Sequence, residues 1–406
     1  MNKGTPVNKK TKIILSVSAG LMVLVFVLVM ALSLSAEPLS TATPDEVPQN
    51  TAVETTVTAP IEDGPLTLSF IGDCILGSES GKSRDGNFTY TAETKDHRYF
   101  FEKVYDVLSK DDLTFANCEV VLSDRNLEKT PKDYSPAFWF IAPAINADIL
   151  KLGGVEVAGV VNNHVNDYGD EGYKDTVDAL KAQGLYVGEN LTPLYFEEKG
   201  IKIGVLYCNL WSQYNTYYIE QALETMQDNC DYRIIFFHGG TEAVHEPDNY
   251  KIDACRYLAE SGLCDLIIGS HPHVLQPMEV VNGVPIVYSL GNFCYSANTY
   301  PENRTIIFQA ELYKEDGSIR TETNIIPCYV YTGYENNWQP AIVEDEGVKA
   351  EIMGMMTAKV EHQTEPSATT EPETEPVTQE EAYAPLAEPD PTEGAQDVWE
   401  TQVMEY

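Results

Sequence analysis

Basic residues are scarce in this sequence. Its 406 residues include 26 Lys and Arg against 63 Asp and Glu, which gives a formal net charge of −37. Because nucleic-acid binding depends on basic side chains that neutralise phosphates, this balance excludes a role that rests on nucleic acid. The eight cysteines include no C-x-x-C pair, which argues against a zinc–thiolate site. Cys74, Cys208, Cys294 and Cys328 lie singly in apolar runs and are predicted core residues, with one or two disulfides left open.

Apolar residues, in contrast, are plentiful. Hydrophobic residues make up 43% and aromatic residues 10% of the chain, enough to bury a substantial core and to exclude disorder along its whole length. The segments 37–64 and 361–406 are rich in Pro, Thr and Glu, contain no base and show no hydrophobic period. We therefore predict a disordered linker over residues 37–64, one globular domain over residues 65–360 and a disordered acidic tail over residues 361–406.

One long apolar run lies near the N-terminus. Residues 13–34 carry no charge and are numerous enough, at helical rise, to cross a bilayer core of about 30 Å. Four lysines precede the run and the next charged residues are acidic, so the positive-inside rule predicts a cytoplasmic tail over residues 1–12 and a transmembrane signal-anchor over residues 13–36. A cleaved signal peptide is the alternative, because Ser33, Ser35 and Ala36 would suit a signal peptidase. Both alternatives place the domain outside the cell.

Strand-like runs alternate with helical patterns through most of the domain. Predicted strands cover residues 66–72, 113–116, 155–161, 201–207, 232–237 and 265–268, and predicted helices cover residues 99–108, 144–152, 170–183, 218–227 and 250–261. This alternation predicts a layered α/β body with largely parallel sheets. After His273, predicted strands follow one another at 278–281, 284–290, 305–313 and 324–331, so we expect an antiparallel sheet region to close the domain.

Polar residues collect where the predicted strands end. The carboxyl ends of strands in an open α/β sheet form the crevice that binds ligands, so residues from separate stretches are expected to converge there. These residues are Asp73, Asn117, Glu119, Asn162, Asn163, His164, His238, Glu242, His271 and His273.

Taken singly, each of these residues has an ordinary structural explanation. Asp73 could cap a turn, and His164 could hydrogen-bond its own loop. The His271-Pro272-His273 segment is a stronger signal, because alternate residues of an extended backbone project from one face toward one ion. Together the set offers carboxylate, amide and imidazole ligands, a mixture suited to Zn, Mn or Fe. We therefore predict a centre for one or two divalent metal ions.

A serine hydrolase is a weaker interpretation. The segment Tyr288-Ser-Leu-Gly-Asn-Phe293 follows a predicted strand and is expected to lie beside the crevice. No His or acid adjoins Ser289 in the sequence, so nucleophilic catalysis by this residue is disfavoured.

Six motifs in a fixed order resemble one protein family. Over residues 66–295 the chain is similar to the CapA/PgsA family of capsule and poly-γ-glutamate biosynthesis proteins, which resemble calcineurin-like metallophosphoesterases in fold. The motifs are Phe70-Ile-Gly-Asp73, Ala116-Asn-Cys-Glu119, Asn162-Asn-His164 with Asp167, His238-Gly-Gly-Thr-Glu242, Gly269-Ser-His-Pro-His273 and Tyr288-Ser-Leu-Gly-Asn292-Phe293. Each motif alone is weak, but six in this order are highly specific.

The resemblance implies a four-layer α/β/β/α sandwich of the metallo-dependent phosphatase type, with a metal site between the ends of its sheets. It implies that Asp73 binds a first metal ion and that Asn163 and His238 bind a second. It also implies that His271 and His273 each bind one of these two ions. The residues that it implies to line the site are Asn162, Asp167, Glu242 and Asn292.

The sequence departs from the phosphoesterase pattern at two positions. Ile75 stands where a His is usual. Asn117 stands near the place of the Asp that usually bridges two metal ions, and Glu119, two residues further on, is the candidate replacement. Whether the centre holds one metal ion or two therefore stays open.

The resemblance also implies a function. A complete centre would carry out metal-assisted hydrolysis, with His164 as the general acid or as the group that stabilises transition-state charge. The expected role is the synthesis or export of an anionic γ-linked glutamate polymer at the cell membrane, with the membrane, that polymer and other capsule proteins as partners. Two alternatives stay open: a non-catalytic membrane-anchored assembly factor, and a cell-surface metallophosphodiesterase or nucleotidase unrelated to capsule.

Overall fold

Two large β-sheets form the frame of the described chain. The computed structural model describes residues 64–79, 87–295, 303–332 and 335–363. The predicted cytoplasmic tail, the transmembrane segment, the linker up to residue 63 and the acidic tail from residue 364 lie outside these ranges. Among the helices within the ranges, none combines the length and the apolar character needed to cross a bilayer.

The strands and helices are numbered along the chain. The strands are β1 Leu66–Cys74, β2 Ser78–Glu79, β3 Leu113–Cys118, β4 Val121–Leu122, β5 Phe140–Ala142, β6 Val157–Gly159, β7 Tyr186–Gly188, β8 Leu194–Glu198, β9 Ile201–Asn209, β10 Tyr232–His238, β11 Leu266–Ser270, β12 Leu275–Val281, β13 Val284–Leu290, β14 Asn292–Cys294, β15 Arg304–Glu315, β16 Ser318–Tyr329 and β17 Ala341–Ile342. The α-helices are α1 Phe88–Thr94, α2 Tyr105–Leu108, α3 Asp148–Leu152, α4 Gly169–Ala182, α5 Asn215–Met226, α6 Asn249–Glu260 and α7 Glu346–Met356.

Both large sheets have a parallel centre. The first sheet has the order β17-β16-β15-β1-β3-β6-β7, with β14 beside β1, and its strands β1, β3, β6 and β7 are parallel. The second sheet has the order β12-β13-β11-β10-β9-β8, with antiparallel strands only at its two edges. The strands β2, β5 and β4 form a small third sheet. The predicted mixed α/β body is therefore confirmed.

The inner faces of the two large sheets pack against each other. Phe70 of β1 stacks on Phe115 of β3 with 5.0 Å between ring centroids, and it lies 6.3 Å from Phe236 of the second sheet. These rings belong to one buried apolar cluster together with Val205 and Ile268. Removal of this apolar surface from water holds the sheets face to face and so fixes where their strand ends lie.

Helices cover the outer faces of the sheets. Ile149 of α3 and Leu180 of α4 join the apolar cluster on the outer face of the first sheet. Leu223 of α5 and Leu258 of α6 join the corresponding cluster on the second sheet. The parallel centre of each large sheet is thus buried on both faces, as parallel sheets usually are.

The strands after His273 differ from the prediction. β12 and β13 complete the second sheet, where β13 is parallel to β11, while β15 and β16 join the first sheet beside β1. The prediction of one antiparallel region is therefore wrong, because the apolar faces of these strands belong to two different sheets. The turn at Asn282 and Gly283 joins two strands as predicted, with the positive φ angles of 51° and 84° that a two-residue hairpin requires.

Two helices, α1 and α7, have no counterpart in the prediction. In α7, the side chain of Asp345 accepts a hydrogen bond from the N–H of Val348 at 2.9 Å and caps the first turn. The helix buries Ile352 and Met356 in the cluster between the sheets. The predicted helix over residues 99–108 is instead a 3₁₀ turn at His97–Phe100 followed by the single turn of α2.

All eight cysteines are free, and all except Cys230 are buried. The prediction that Cys74, Cys208, Cys294 and Cys328 are core residues is therefore confirmed. Burial raises the pKa of these thiols above the usual value, so they stay protonated and unreactive.

We expect Phe70→Ala to lower the free energy of unfolding by about 3–5 kcal/mol, because the substitution opens a cavity at a position that is 0% exposed. The matched control, Tyr214→Ala, removes a ring that is 83% exposed and should change this free energy by less than about 0.5 kcal/mol. Urea unfolding followed by circular dichroism measures both. Equal losses would contradict the packing between the sheets.

Candidate metal centre

The candidate site lies where strands of both large sheets end. Asp73 lies near the end of β1, His238 ends β10 and Ser270 ends β11. The backbone N–H of His271, which follows β11, donates to Asp73 Oδ2 at 3.2 Å and so joins the two sheets. Packing of the sheets thus brings polar residues from distant parts of the chain into one cluster.

Asn117 connects the carboxylates on the first sheet. Its amide nitrogen donates to Asp73 Oδ1 at 2.7 Å and to Glu119 Oε2 at 3.2 Å. Its amide oxygen accepts from Asn162 Nδ2 at 3.0 Å. Because both ends of the amide are engaged, Asn117 orients the two carboxylates, and its predicted ligand role stays a prediction.

The Nε2 atom of His238 faces three other ligand-type atoms. It lies 2.9 Å from Asn163 Oδ1, 3.0 Å from His271 Nδ1 and 3.6 Å from Glu119 Oε1. The other ring nitrogen of His238 lies 3.0 Å from Ser270 Oγ, which holds the imidazole in place. Three ligand-type atoms from both sheets therefore lie within 3.6 Å of His238 Nε2.

The segment His271-Pro272-His273 is a turn. The φ angles are 101° at His271 and 60° at His273, so the expectation of an extended backbone is wrong. The two imidazoles still lie close, with 5.7 Å between ring centroids, because the chain turns between them. His273 Nδ1 lies 2.9 Å from Asn292 Oδ1 and 3.3 Å from Asp73 Oδ2. Positive φ is unfavourable for residues other than glycine and is common at functional sites.

The donor set fits a divalent metal ion. Three groups of residues have ligand atoms within 4.8 Å of one another: Glu119, His238 and His271; Asp73, Glu119 and His273; and Glu242, His271 and His273. Glu119 belongs to two of the groups, and its Oε1 is buried without a hydrogen-bond partner among the described residues. A buried carboxylate oxygen without a donor is costly unless it is protonated or lies beside a cation. The geometry thus provides a place for a cation between the sheets.

Burial and neighbouring charges shift the pKa values of the cluster. Burial, reinforced by Asp73, raises the pKa of Glu119 well above its usual value. Burial lowers the pKa of His238 well below its usual value and that of His271 to about 2. Burial would also lower the pKa of His273, but the carboxylates of Glu119 and Asp73 outweigh it and raise this pKa to about 10. At pH 7 His238 and His271 therefore offer neutral nitrogens, whereas a metal ion bound by His273 would displace a proton.

His164 lies in a connected hydrogen-bond network. Its Nδ1 lies 2.8 Å from Asp167 Oδ2, and the other oxygen of Asp167 pairs with Lys132. Its backbone N–H donates to Asn162 Oδ1 at 3.1 Å, and Asn162 in turn donates to Asn117. Asp167 is fully buried and thereby holds the imidazole ring in one orientation and one tautomer.

The structure brings all of the predicted site residues to this end of the sheets. Glu242 differs from the others because it is exposed, with its Oε1 4.0 Å from His271 Nε2. It therefore lies at the rim of the cluster, while Asp73 and Glu119 lie inside it. The metal-binding and catalytic roles of these residues stay predictions.

The sequence analysis missed two residues beside the cluster. The ring of Trp211 lies 4.7 Å from that of His271. Lys251 is fully buried, and its ammonium donates to Gln276 Oε1 at 2.6 Å and to the carbonyl oxygen of Gly239 at 3.2 Å. Trp211 follows the end of β9, so the strand-end argument could have identified it. Lys251 lies inside α6, where no such signal exists.

Comparisons with known proteins identify a matching family, two relatives and one solved structure. The family described as "Bacterial capsule synthesis protein PGA_cap" matches residues 67–297. The PGA biosynthesis protein CapA of Bacillus subtilis (strain 168) is 27% identical over 312 residues, which cover 71% of this chain and 76% of the relative. The capsule biosynthesis protein CapA of Bacillus anthracis is 27% identical over 300 residues, which cover 67% of this chain and 69% of the relative. The calcineurin-like phosphoesterase YfkN from Bacillus subtilis, a solved structure, aligns with 72% of this chain and 96% of its own at 14% identity and a TM-score of 0.40.

We expect a paramagnetic ion such as Co²⁺ to quench the fluorescence of Trp211, because this ring lies 4.7 Å from His271 and 5.7 Å from His238. Titration of Co²⁺ into EDTA-treated and desalted protein should give saturable quenching. Trp211→Phe removes the reporter, keeps the cluster and should remove most of the quenching. Equal quenching in the wild type and in Trp211→Phe would show that the ion binds elsewhere.

Proposed function

Because the chain belongs to the PGA_cap family of bacterial capsule synthesis proteins, we propose that it takes part in making or exporting a capsule polymer of the poly-γ-glutamate type. The names of the two Bacillus relatives, which refer to capsule and PGA biosynthesis, support this polymer class. We propose further that the domain is a four-layer sandwich of the metallophosphatase type and that it acts through a metal-dependent hydrolase-like site.

The observation that supports the hydrolase-like site is the buried Oε1 of Glu119, which has no hydrogen-bond partner among the described residues. This buried atom lies 3.6 Å from His238 Nε2 and 4.0 Å from His273 Nε2. Glu119, Asn163, His238 and His271 would hold one divalent ion, and Asp73, Glu119 and His273 would hold a second. When bound, such an ion supplies Lewis-acid activation and charge stabilisation for hydrolysis.

Other residues of the site would transfer the proton and hold the metal ligands in position. Asp167 accepts from Nδ1 of His164 and stabilises the imidazolium form, in which Nε2 carries the proton that would pass to the leaving group. Asn117 keeps the carboxylates of Asp73 and Glu119 in fixed orientations through its amide. The pair formed by Asp167 and Lys132 keeps a charged carboxylate behind the imidazole without exposing it to water.

We propose that the domain acts outside the cell and is tethered to the membrane by residues 13–36. The run of apolar residues there and the lysines before it support this proposal. Other capsule synthesis or export proteins and an anionic polymer are the proposed partners. An acidic body repels a polyanion, so contact with the polymer would depend on the metal centre or on local basic residues.

A non-catalytic assembly factor is the second candidate, and Ile75 favours it. Ile75 is buried in the apolar cluster on the outer face of the first sheet, so the position offers no imidazole to the centre. Asn117 in place of a bridging carboxylate also reduces the negative charge available to two ions. Under this candidate an ion at the centre would stabilise the fold and carry out no reaction.

The double variant Asn163→Ala, His271→Ala should lose most of the bound metal, because it removes two of the three ligand-type atoms that lie around His238 Nε2. Metal analysis after gel filtration, beside the wild type, measures this loss. Thermal unfolding of both proteins checks that the variant is folded. Equal metal content in the two folded proteins would remove the catalytic proposal.

We expect His164→Gln to lower kcat by about 10²- to 10⁴-fold at unchanged metal content, because it removes the proton donor and leaves the ligands in place. Asp167→Asn should also lower kcat, since the imidazole loses the carboxylate that orients it. The assay would use γ-linked glutamate oligomers and bis(p-nitrophenyl) phosphate with Mn²⁺. Wild-type protein that binds metal and hydrolyses neither substrate would favour the assembly factor.

A further inference from the structure

Lys251 is a buried cation that the proposed function does not use. The residue lies in α6 and is 0% exposed. Its ammonium donates to the side-chain oxygen of Gln276 at 2.6 Å and to the backbone carbonyl oxygens of Gly239 at 3.2 Å and Tyr288 at 3.3 Å. Three acceptors match the three N–H groups of the charged form. Burial lowers the pKa of Lys251 to about 8, so the charged form predominates at pH 7.

The three acceptors of this ammonium are neutral. Burying a cation among neutral acceptors costs more stability than burying it beside a carboxylate. The ring of Phe237, whose centroid lies 5.6 Å from Lys251 Nζ, offsets part of this cost. A buried group that is unfavourable for stability is expected where function requires it, so the surroundings of the ammonium indicate its role.

Each acceptor belongs to a segment that leads to a residue of the metal-ligand cluster. Gly239 directly follows His238, and Gln276 lies in β12, three residues after His273. The third acceptor lies in β13, and the chain continues from this strand to Asn292. One ammonium therefore joins three stretches of chain that carry residues of the cluster.

Gln276 extends this connection to the loop that follows β10. Its side chain is fully buried, and its amide nitrogen donates to the carbonyl oxygens of Val244 at 2.8 Å and Glu246 at 3.4 Å. The N–H of Ala243, in the same loop, donates to the carbonyl oxygen of Pro272 at 2.9 Å. Pro272 lies between the two histidines of the turn after β11. The network that begins at the ammonium thus ends on this turn.

The second glycine of the motif His238-Gly-Gly-Thr-Glu242 makes room for the network. A Cβ atom on Gly240 would lie 2.7 Å from Lys251 Nζ, and the ammonium cannot move aside without losing its acceptors. The φ angle of Gly240 is 119°, which is unfavourable for other residues. The motif therefore permits the close approach of the loop to the ammonium.

From these contacts we propose that Lys251 is a positioning residue of the metal-ligand cluster. Its ammonium holds the three segments and the loop after β10 so that His238 and His273 both face Glu119, at 3.6 and 4.0 Å from its Oε1. Lys251 acts on these ligands through the backbone and through Gln276. The expected effect on metal binding rests on the proposed function, whereas the effect on the loop does not.

Lys251→Met in the purified full chain tests this proposal, because methionine is also long and unbranched but carries no charge. We expect the variant to bind Co²⁺ about tenfold or more weakly than the wild type, as loss of a supporting contact around a metal site usually does. Calorimetry measures this affinity. The visible absorption spectrum of bound Co²⁺ should also differ between the two proteins, because it reports how the ligands are arranged.

Leu258→Ala is the matched control. Leu258 lies on the same helix and is 1% exposed, but it packs in the apolar cluster on the outer face of the second sheet. This variant should lower the melting temperature and leave both the affinity for Co²⁺ and the spectrum unchanged. The comparison therefore separates loss of positioning from loss of stability.

Wild-type affinity and a wild-type spectrum in folded Lys251→Met would overturn the proposal. If Lys251→Met does not fold, Gln276→Met decides in the same way, because it removes the amide that connects the ammonium to the loop. Failure of both variants to fold would show a structural role only and would also overturn the proposal.

Hydrogen exchange of the metal-free proteins separates this proposal from the proposed function. Peptides from residues 239–248 should exchange faster in Lys251→Met than in the wild type and in Leu258→Ala, since the loop loses its connection to β12. Faster exchange beside a wild type that binds no Co²⁺ would sink the metal centre and keep the positioning role. Unchanged exchange and unchanged Co²⁺ binding in Lys251→Met, beside a wild type that binds the ion, would do the opposite.

Discussion

The buried carboxylate of Glu119 is the constraint around which the candidate centre is organised. One of its oxygens accepts from Asn117, and the other is buried with no hydrogen-bond donor in the part of the chain that the structure describes. A protein relieves such an oxygen either with a proton, which the raised pKa of Glu119 reflects, or with a cation. The imidazoles of His238 and His273 lie 3.6 and 4.0 Å from this oxygen, so a metal ion bound there would satisfy the carboxylate and both rings at once.

This arrangement depends on the packing of two separate sheets. Asp73 and Glu119 come from the first sheet, while His238 and His271 come from the second. No local segment contains more than part of the donor set, and the apolar cluster between the sheets holds the parts together. The surrounding amides then set the orientations of the donors, as outer hydrogen bonds usually do in metal sites. Stability of the fold and geometry of the site are therefore two results of the same packing.

Much of this site could be predicted from the sequence, because the strand-end argument does not depend on tertiary detail. Asp73, His238 and His271 follow apolar runs, and the ends of such runs meet in any layered α/β fold. The argument could not tell how the Asn117 amide is oriented. Asn117 carries a ligand-type oxygen, yet its neighbours are carboxylates that need a donor, so its amide nitrogen turns toward them. Sequence spacing does not record which end of an amide faces the site.

The errors in the fold have related physical causes. The alternation of apolar and polar residues predicts β12, β13, β15 and β16 as strands. It does not indicate which of the two sheets each strand joins. The helix α7 was overlooked because its apolar side is narrow, with Ile352 and Met356 as its buried residues. Trp211 was overlooked for a different reason, since aromatic residues are usually assigned to the core and its exposure is known only from the structure.

The unpaired cysteines have a consequence for how the domain matures. Since none of the eight thiols is linked to another, the stability of the native state does not depend on an oxidant, on a disulfide isomerase or on the redox poise of the compartment. Hydrophobic packing alone replaces the covalent cross-links on which many small secreted proteins rely.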